Sequence, residues 1–546
     1  MGNGHFAKAP NISLPRTKMK QSFTHSTTFD FSKLVPIDCF EVLPGDSFSL
    51  KLSSLIRMSQ PIAPIMDTIE MDIHAFFIPM RLIFKDTEEF FGANKTSAGY
   101  QKTLFRIPMA PLFNNVPNSV SSYLGKPLTS SNIPVSVLKE RAYLLVWSEW
   151  YRAQQVQDPF VMLDSDDTVA EEEVPDAPAV VGHIGEQIYD LDYSFSDSSV
   201  PLMSVCKKMD YFTACTISPQ YGEEVLLPLG STAPVNFAVT SDSEASADQI
   251  LATQTDVPAP SEILEDHGNV ATAKVNGYDA AWYADLSKAT AASVNQIRYA
   301  FQLQKYLERC NFGSRYFEML ANHYGVTSPD ARLQRPEYLG GQHFYINVQQ
   351  VLSTAGATVG SDTKLGQPGA NSTTAHSGML FSKGFVEFGY VLILASTRQA
   401  SHKYSQGVLR EDTRSDRFEF YSPEFANLGD QAVKNKEIMV TGTNDEKTFG
   451  YQEHWAEYRY RPDRVSGLLN PNATGALDYW TLADKYSSRP ELDARFIVEN
   501  RDNIKRALVT GNTGPDFVAD FYFDYTAVRE MPAYTIPGLI DHFGNH

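Results

Sequence analysis

Ser361 and Lys364 stand at the S-x-x-K spacing, where an amine can take the proton of a hydroxyl and free it for nucleophilic attack. They lie in a run of Gly, Ser, Thr and Ala over 353–378 that reads as a loop, and so short a pattern arises often by chance. Asp164, Asp166 and Asp167 begin like a calcium loop, but its sixth position would be Val169 and its twelfth Pro175, where the geometry needs Gly and Glu. Cys39, Cys206, Cys215 and Cys310 form no C-x-x-C pair and match no zinc spacing, so they read as thiols kept reduced in a cytoplasm. His542 and His546 sit together at the C-terminal end with no third ligand in view. The run 360–366 (GSDTKLG) lacks the order of a phosphate-binding loop, and no GxGxxG, HExxH or GxSxG occurs. No residue is assigned to catalysis, to a cofactor or to a metal.

Two groups have the chemistry to touch nucleic acid. Arg16, Lys18 and Lys20 lie in an N-terminal arm that is nearly free of carboxylates. Arg459, Tyr460 and Arg461 set two cations around an aromatic ring on which a base can stack. Each has a plainer alternative. An arm can pack on a neighbouring subunit, and the second group can be a strand end with salt bridges.

The elements that must position these residues are mostly strands. Phe48, Leu50 and Leu52 alternate with Ser47, Ser49, Lys51 and Ser53, and Ile69 to Phe77 alternates with Glu70, Asp72 and His74. Both patterns predict half-buried strands. Residues 22–31 alternate too, with Phe23, Phe29 and Phe31 on one face. A nearly continuous apolar run, 385–395, predicts a central strand. Residues 439–440, 448–452 and 455–460 suggest further strands, and Phe517 to Tyr525 alternates most cleanly. Helical spacing occurs over 137–153, over 293–309 behind a Ser293/Gln296 capping box, and over about 315–323. Val294, Ile297, Ala300, Phe301, Leu303 and Leu307 form the apolar stripe of the second. With 27 Tyr and 33 Phe, the chain leans toward strands, where rings fit the pleated surface.

The charge is unevenly placed. Residues 158–285 hold 24 Asp and Glu against three Lys, a net of −21, while the remainder nets +2. A stretch so acidic repels phosphate and should face away from any packaged genome. The longest apolar run is too short to span a bilayer, and the N-terminus has neither a leader-like apolar stretch nor a myristoylation pattern. A soluble protein made inside a cell is expected.

Residues 297–341 carry a resemblance. Ile297-Arg298 through Arg309, then Gly313 to Tyr316, then the run 324–341 (YGVTSPDARLQRPEYLGG) resemble the major capsid protein of gokushovirus-type microviruses. Residues 44–46 (PGD), 61–67 (PIAPIMD), 76–84 (FFIPMRLIF) and 455–459 (WAEYR) continue the likeness in the same order. The resemblance implies a mainly β protein, an eight-stranded antiparallel jelly roll with long inter-strand insertions containing short helices. It implies a homo-oligomeric icosahedral shell around circular single-stranded DNA of a bacteriophage. A small basic DNA-binding virion protein and pilot- or spike-type minor proteins are implied partners, as is a bacterial surface receptor reached by a three-fold protrusion. No enzyme activity and no membrane insertion are expected. The expected division is an arm and first strand over 1–34, jelly-roll strands over 35–157, an acidic insertion over 158–286 with its tip at 231–276, a helical segment over 287–340, and remaining strands over 341–546. A jelly-roll carbohydrate-binding module or glycosidase is the alternative, since the same fold hosts both.

Overall fold

Alternating residues become strands, and eight of these strands close on one core. The computed structural model describes residues 16–91, 107–112, 116–129, 131–162, 182–184, 193–195, 200–223, 225, 235–239, 272–275, 278–284, 294–311, 313, 315–352, 354, 366, 368–511 and 513–534. The principal strands are β1 (Thr17–Phe29), β2 (Leu34–Val42), β3 (Ser47–Met58), β4 (Ile69–Pro79), β5 (Glu337–Ile346), β6 (Thr374–Gly384), β7 (Gly389–Gln399) and β8 (Phe517–Arg529). One antiparallel sheet has the order β1-β8-β3-β6, and a second has the order β5-β4-β7-β2. Successive strands alternate between the sheets, except β4 and β5, which are neighbours in the second. This wrapping is the jelly roll.

Inward residues of both sheets form one apolar core that includes Phe29, Leu50, Leu52, Ile73, Val391, Phe521 and Phe523. Phe29 stacks on Phe517 at 5.2 Å and Phe23 on Phe523 at 4.9 Å, so the aromatic alternation of β8 locks the first strand in register.

The two outer faces differ. That of the first sheet is open, with Lys51, Leu55 and Arg57 of β3 and Val518 and Tyr522 of β8 exposed. That of the second is covered, and β4 is buried along nearly its whole length. The covering segment lies within 80–336, between β4 and β5. Helix α1 (Leu138–Val146) is almost wholly buried there, and the Tyr143 hydroxyl donates to the Leu34 carbonyl at 2.7 Å. A second long insertion, 400–516, joins β7 to β8.

The chain divides into two compact units, residues 1–219 with 324–546, and residues 220–323. The first holds both sheets. The second holds a three-stranded antiparallel sheet (Val235–Val239, Tyr278–Ala284, Thr272–Val275), helix α2 (Val294–Asn311) and nearly all of α3 (Tyr316–Tyr324). Val200, Leu202, Met203 and Val205 belong to the core of the first unit, although they fall inside the acidic stretch.

Several expectations change. The first strand is longer than 22–31 and includes Lys18 and Lys20. β4 is buried on both faces, so Glu70 and Asp72 point under the insertion and not into solvent. Residues 455–460 are no strand. Trp455 has φ +67°, and Ala456–Arg459 is one helical turn, because Trp455 turns its ring into the protein and starts the turn. Residues 435–438 are helical and Met439 makes only an isolated bridge with Gln406. The loop read over 353–378 already contains Pro368–Ser372 and the start of β6. Helix α2 exposes Val294 and Phe301 and half-buries Ile297, Leu303 and Leu307. Ser293, Ser361, Lys364, the 164–167 run, most of 231–276, His542 and His546 lie outside the described residues.

Candidate functional site

Arg16, Lys18 and Lys20 stand on and beside β1, the edge strand of the open sheet. The Arg16 guanidinium donates from Nε and Nη2 to Glu530 Oε1 at 3.2 and 3.1 Å. Lys20 lies 3.3 Å from Asp524 of β8. Lys18 is exposed opposite Val528. Register places Lys20, Ser22, Thr24 and Ser26 on the outer face in line with Thr526, Asp524, Tyr522 and Asp520 of β8, then with Ser49, Lys51, Ser53 and Leu55 of β3. This face and its edge carry five cations, Arg16, Lys18, Lys20, Lys51 and Arg57, against Asp520, Asp524 and Glu530. Hydroxyl groups fill much of the rest.

The other group lies in the insertion after β7. Arg459 ends the helical turn and pairs with Glu453, and Arg461 pairs with Glu411. Tyr460, half exposed, lines a shallow depression with Arg410, Glu437, Glu457 and Tyr211. Both arginines are thus ion-paired within the subunit, Arg459 on a helical turn and Arg461 just past it. No contact joins the two groups among the described residues.

Sequence reasoning missed two buried charge clusters. His402 is buried, with Nδ1 3.2 Å from Asp484 Oδ2 and Nε2 3.2 Å from Glu499 Oε2. Lys207 Nζ lies 3.2 Å from the same Asp484 oxygen, and Asn503 Nδ2 donates to the other at 2.6 Å. Burial disfavours the imidazolium, but the Glu499 and Asp484 carboxylates outweigh it and hold His402 up at about 9. Burial likewise opposes the Asp484 carboxylate, but Lys207 and His402 overcome it and hold that group below its ordinary range. The cluster ties residue 207 of one insertion to residues 402, 484, 499 and 503 of the other. Partners so far apart in sequence leave no local pattern.

The second cluster covers β4. His343 Nδ1 lies 2.7 Å from Asp72 Oδ1, Arg398 donates to Asp72 Oδ2 at 2.8 Å, and Lys208 pairs with Glu70. Burial acts to raise Asp72, yet His343 and Arg398 bring it below its ordinary value. Glu70, Asp72 and His343 offer ligand atoms within 4.8 Å of one another. Lys208 of the insertion and Arg398 of β7 already neutralise both carboxylates, and the Lys208–Glu70 pair clasps the cover to the sheet. The four cysteines are free thiols, and Cys39 and Cys215 are buried. No helix among the described residues is long and apolar enough to cross a membrane. None of this assembles a nucleophile, a base and an open cleft. The side chains tie a jelly roll to its insertions.

Comparison with known proteins agrees with that picture. The family described as Capsid protein (F protein) matches residues 7–539. The chain belongs to this family of phage capsid proteins. Capsid protein VP1 of Bdellovibrio phage phiMH2K is 34% identical over 98% of both chains. Capsid protein VP1 of Chlamydia phage 1 is 32% identical over 98% of this chain and 97% of its own. Capsid protein VP1 of Spiroplasma virus 4 is 32% identical over 96% of both. These relatives are of the gokushovirus type that residues 297–341 resemble. As a member of the F-protein family, this chain is a structural component of the virion and a subunit of an oligomeric shell.

Proposed function

We propose that shells of this capsid protein enclose the circular single-stranded DNA of a bacteriophage, and that the acidic insertion forms a three-fold surface protrusion for host attachment. The observation that carries this reading is the division of charge, with −21 over 158–285 and +2 elsewhere. A face that strongly anionic repels a genome and suits an outward position. The near-neutral body packs against copies of itself. Because it holds too few cations to neutralise a genome, a small basic virion protein is needed alongside it, and pilot- or spike-type proteins complete the particle. Assembly takes place in the bacterial cytoplasm.

DNA contact is assigned to Arg16, Lys18 and Lys20. The pairs made by Arg16 and Lys20 are solvent-exposed, and such pairs contribute only about 0–1 kcal/mol, so a phosphate can displace the carboxylate. The hydroxyls beside them supply further donors to phosphate and sugar. Arg459, Tyr460 and Arg461 are the weaker candidates, because six carboxylates over 410–425 and 457–461 outnumber the five arginines there.

Deleting 231–276 tests the attachment reading. Shells should still form and adsorption to the host should be lost. If shells fail to form, the segment is an assembly element; if adsorption persists, the receptor contact lies elsewhere.

A further inference from the structure

The insertion between β7 and β8 contains a long stretch with no apolar anchor of its own. From Ser405 to Asp430 no apolar residue is buried, and the only helical structure is three single 3-10 turns, 410–413, 417–419 and 423–425. Ordering each residue of such a chain costs about 1–2 kcal/mol, which apolar burial ordinarily offsets. Here polar contacts hold the backbone. Arg410 Nη1 lies 3.3 Å from Glu437 Oε1, and Arg414 Nη2 lies 2.9 Å from Glu457 Oε1.

Held in this way, the stretch presents aromatic rings outward. Phe418, Phe420 and Tyr421 are 50–56% exposed, as are Tyr458 and Tyr460 of the neighbouring turn. Phe420, Tyr421 and Tyr458 form one patch. Tyr421 and Tyr458 rings lie 6.2 Å apart, and the Arg414 guanidinium sits 4.7 Å from the Tyr458 ring and 5.2 Å from that of Phe420. Trp455 supports the patch from below, its indole nitrogen donating to the Phe425 carbonyl at 2.9 Å.

We infer that this aromatic patch is a contact surface for a second copy of the same chain within the shell. Two observations choose the occupant. Residues 410–425 and 457–461 together hold five Arg against six Asp and Glu, so the patch offers no excess positive charge to a phosphate backbone. Its composition, half-exposed Phe and Tyr packed against the nearly buried Arg414, matches the aromatic and Arg enrichment of protein interfaces. A shell subunit must bury such surface against its own copies, and the patch supplies apolar area that the subunit leaves in water.

Backbone hydrogen exchange over 411–429 tests the assignment on the native chain, in unassembled subunits, empty shells and DNA-filled shells. The expected result is fast exchange in the free subunit and at least tenfold slowing in both kinds of shell. Unchanged exchange on assembly overturns the proposal, as does equally slow exchange in the free subunit. Slowing confined to filled shells overturns it in favour of nucleic acid. A Phe420→Asp, Tyr421→Asp variant gives a second readout. Its free subunit should keep the far-ultraviolet spectrum and unfolding midpoint of the parent while its yield of closed shells falls at least tenfold. Normal assembly of that variant contradicts the inference.

Discussion

Replacing His402 with Gln should remove a definite part of the pH dependence of subunit stability. The imidazolium is held between Asp484 and Glu499, which raises it from an ordinary 6.5 to about 9. Folding therefore favours the protonated form. The resulting stabilisation is fully present below pH 6.5 and is lost as pH rises through 9. A difference of that size corresponds to about 3 kcal/mol. Glutamine spans much of the same distance without the charge, so His402→Gln isolates this contribution. The assay is urea unfolding of the unassembled subunit between pH 6 and pH 9.5, followed by tryptophan fluorescence. The parent should lose about 3 kcal/mol relative to the variant across that window. Parallel profiles would show that His402 is neutral in the folded chain and that the cluster does not hold it as a cation.

The core, the strand junction and the DNA contact each yield a further expectation. Phe521 is fully buried between the sheets, so Phe521→Ala should cost about 3–5 kcal/mol in the same unfolding assay. Arg501 bridges Asp30 at 2.6 Å and the fully buried Asp516 at 2.7 Å, fastening the end of β1 to the start of β8. Arg501→Met should cost about 3 kcal/mol, because Asp516 is left buried and uncompensated. Alanine at Arg16, Lys18 and Lys20 together should lower the salt-dependence slope of single-stranded DNA binding by about 2, at about 0.7 per lost phosphate contact, as read by fluorescence anisotropy across a salt series. An unchanged slope would remove those residues from the interface.

Much of the jelly roll was legible because its strands bury one face. Phe517, Ala519, Phe521, Phe523 and Tyr525 keep one face apolar, and the structure extends that pattern through β8. The apolar run near Val391 became the central β7 for the same reason. Misreadings came where a pattern had two physical outcomes. Residues 455–460 alternate weakly in polarity, yet the left-handed Trp455 starts a helical turn that alternation cannot reveal. Glu70 and Asp72 mark a solvated face in sequence and are buried because Lys208 and Arg398 arrive from distant segments. The candidate DNA contacts were legible as cations but not as pairs. Glu530 and Asp524 lie more than five hundred residues from Arg16 and Lys20 and meet them only through the β1–β8 register.

The family assignment makes the chain a shell subunit, and the jelly roll with its open face and covered face is the body from which that shell is built. Negative-stain electron microscopy of particles purified from a producing host, with mass spectrometry of their protein, tests this most directly. Closed spherical particles of uniform size, with this chain as their principal protein, are expected. Recovery of the chain only as free subunits, with no particles containing it, would contradict the assignment.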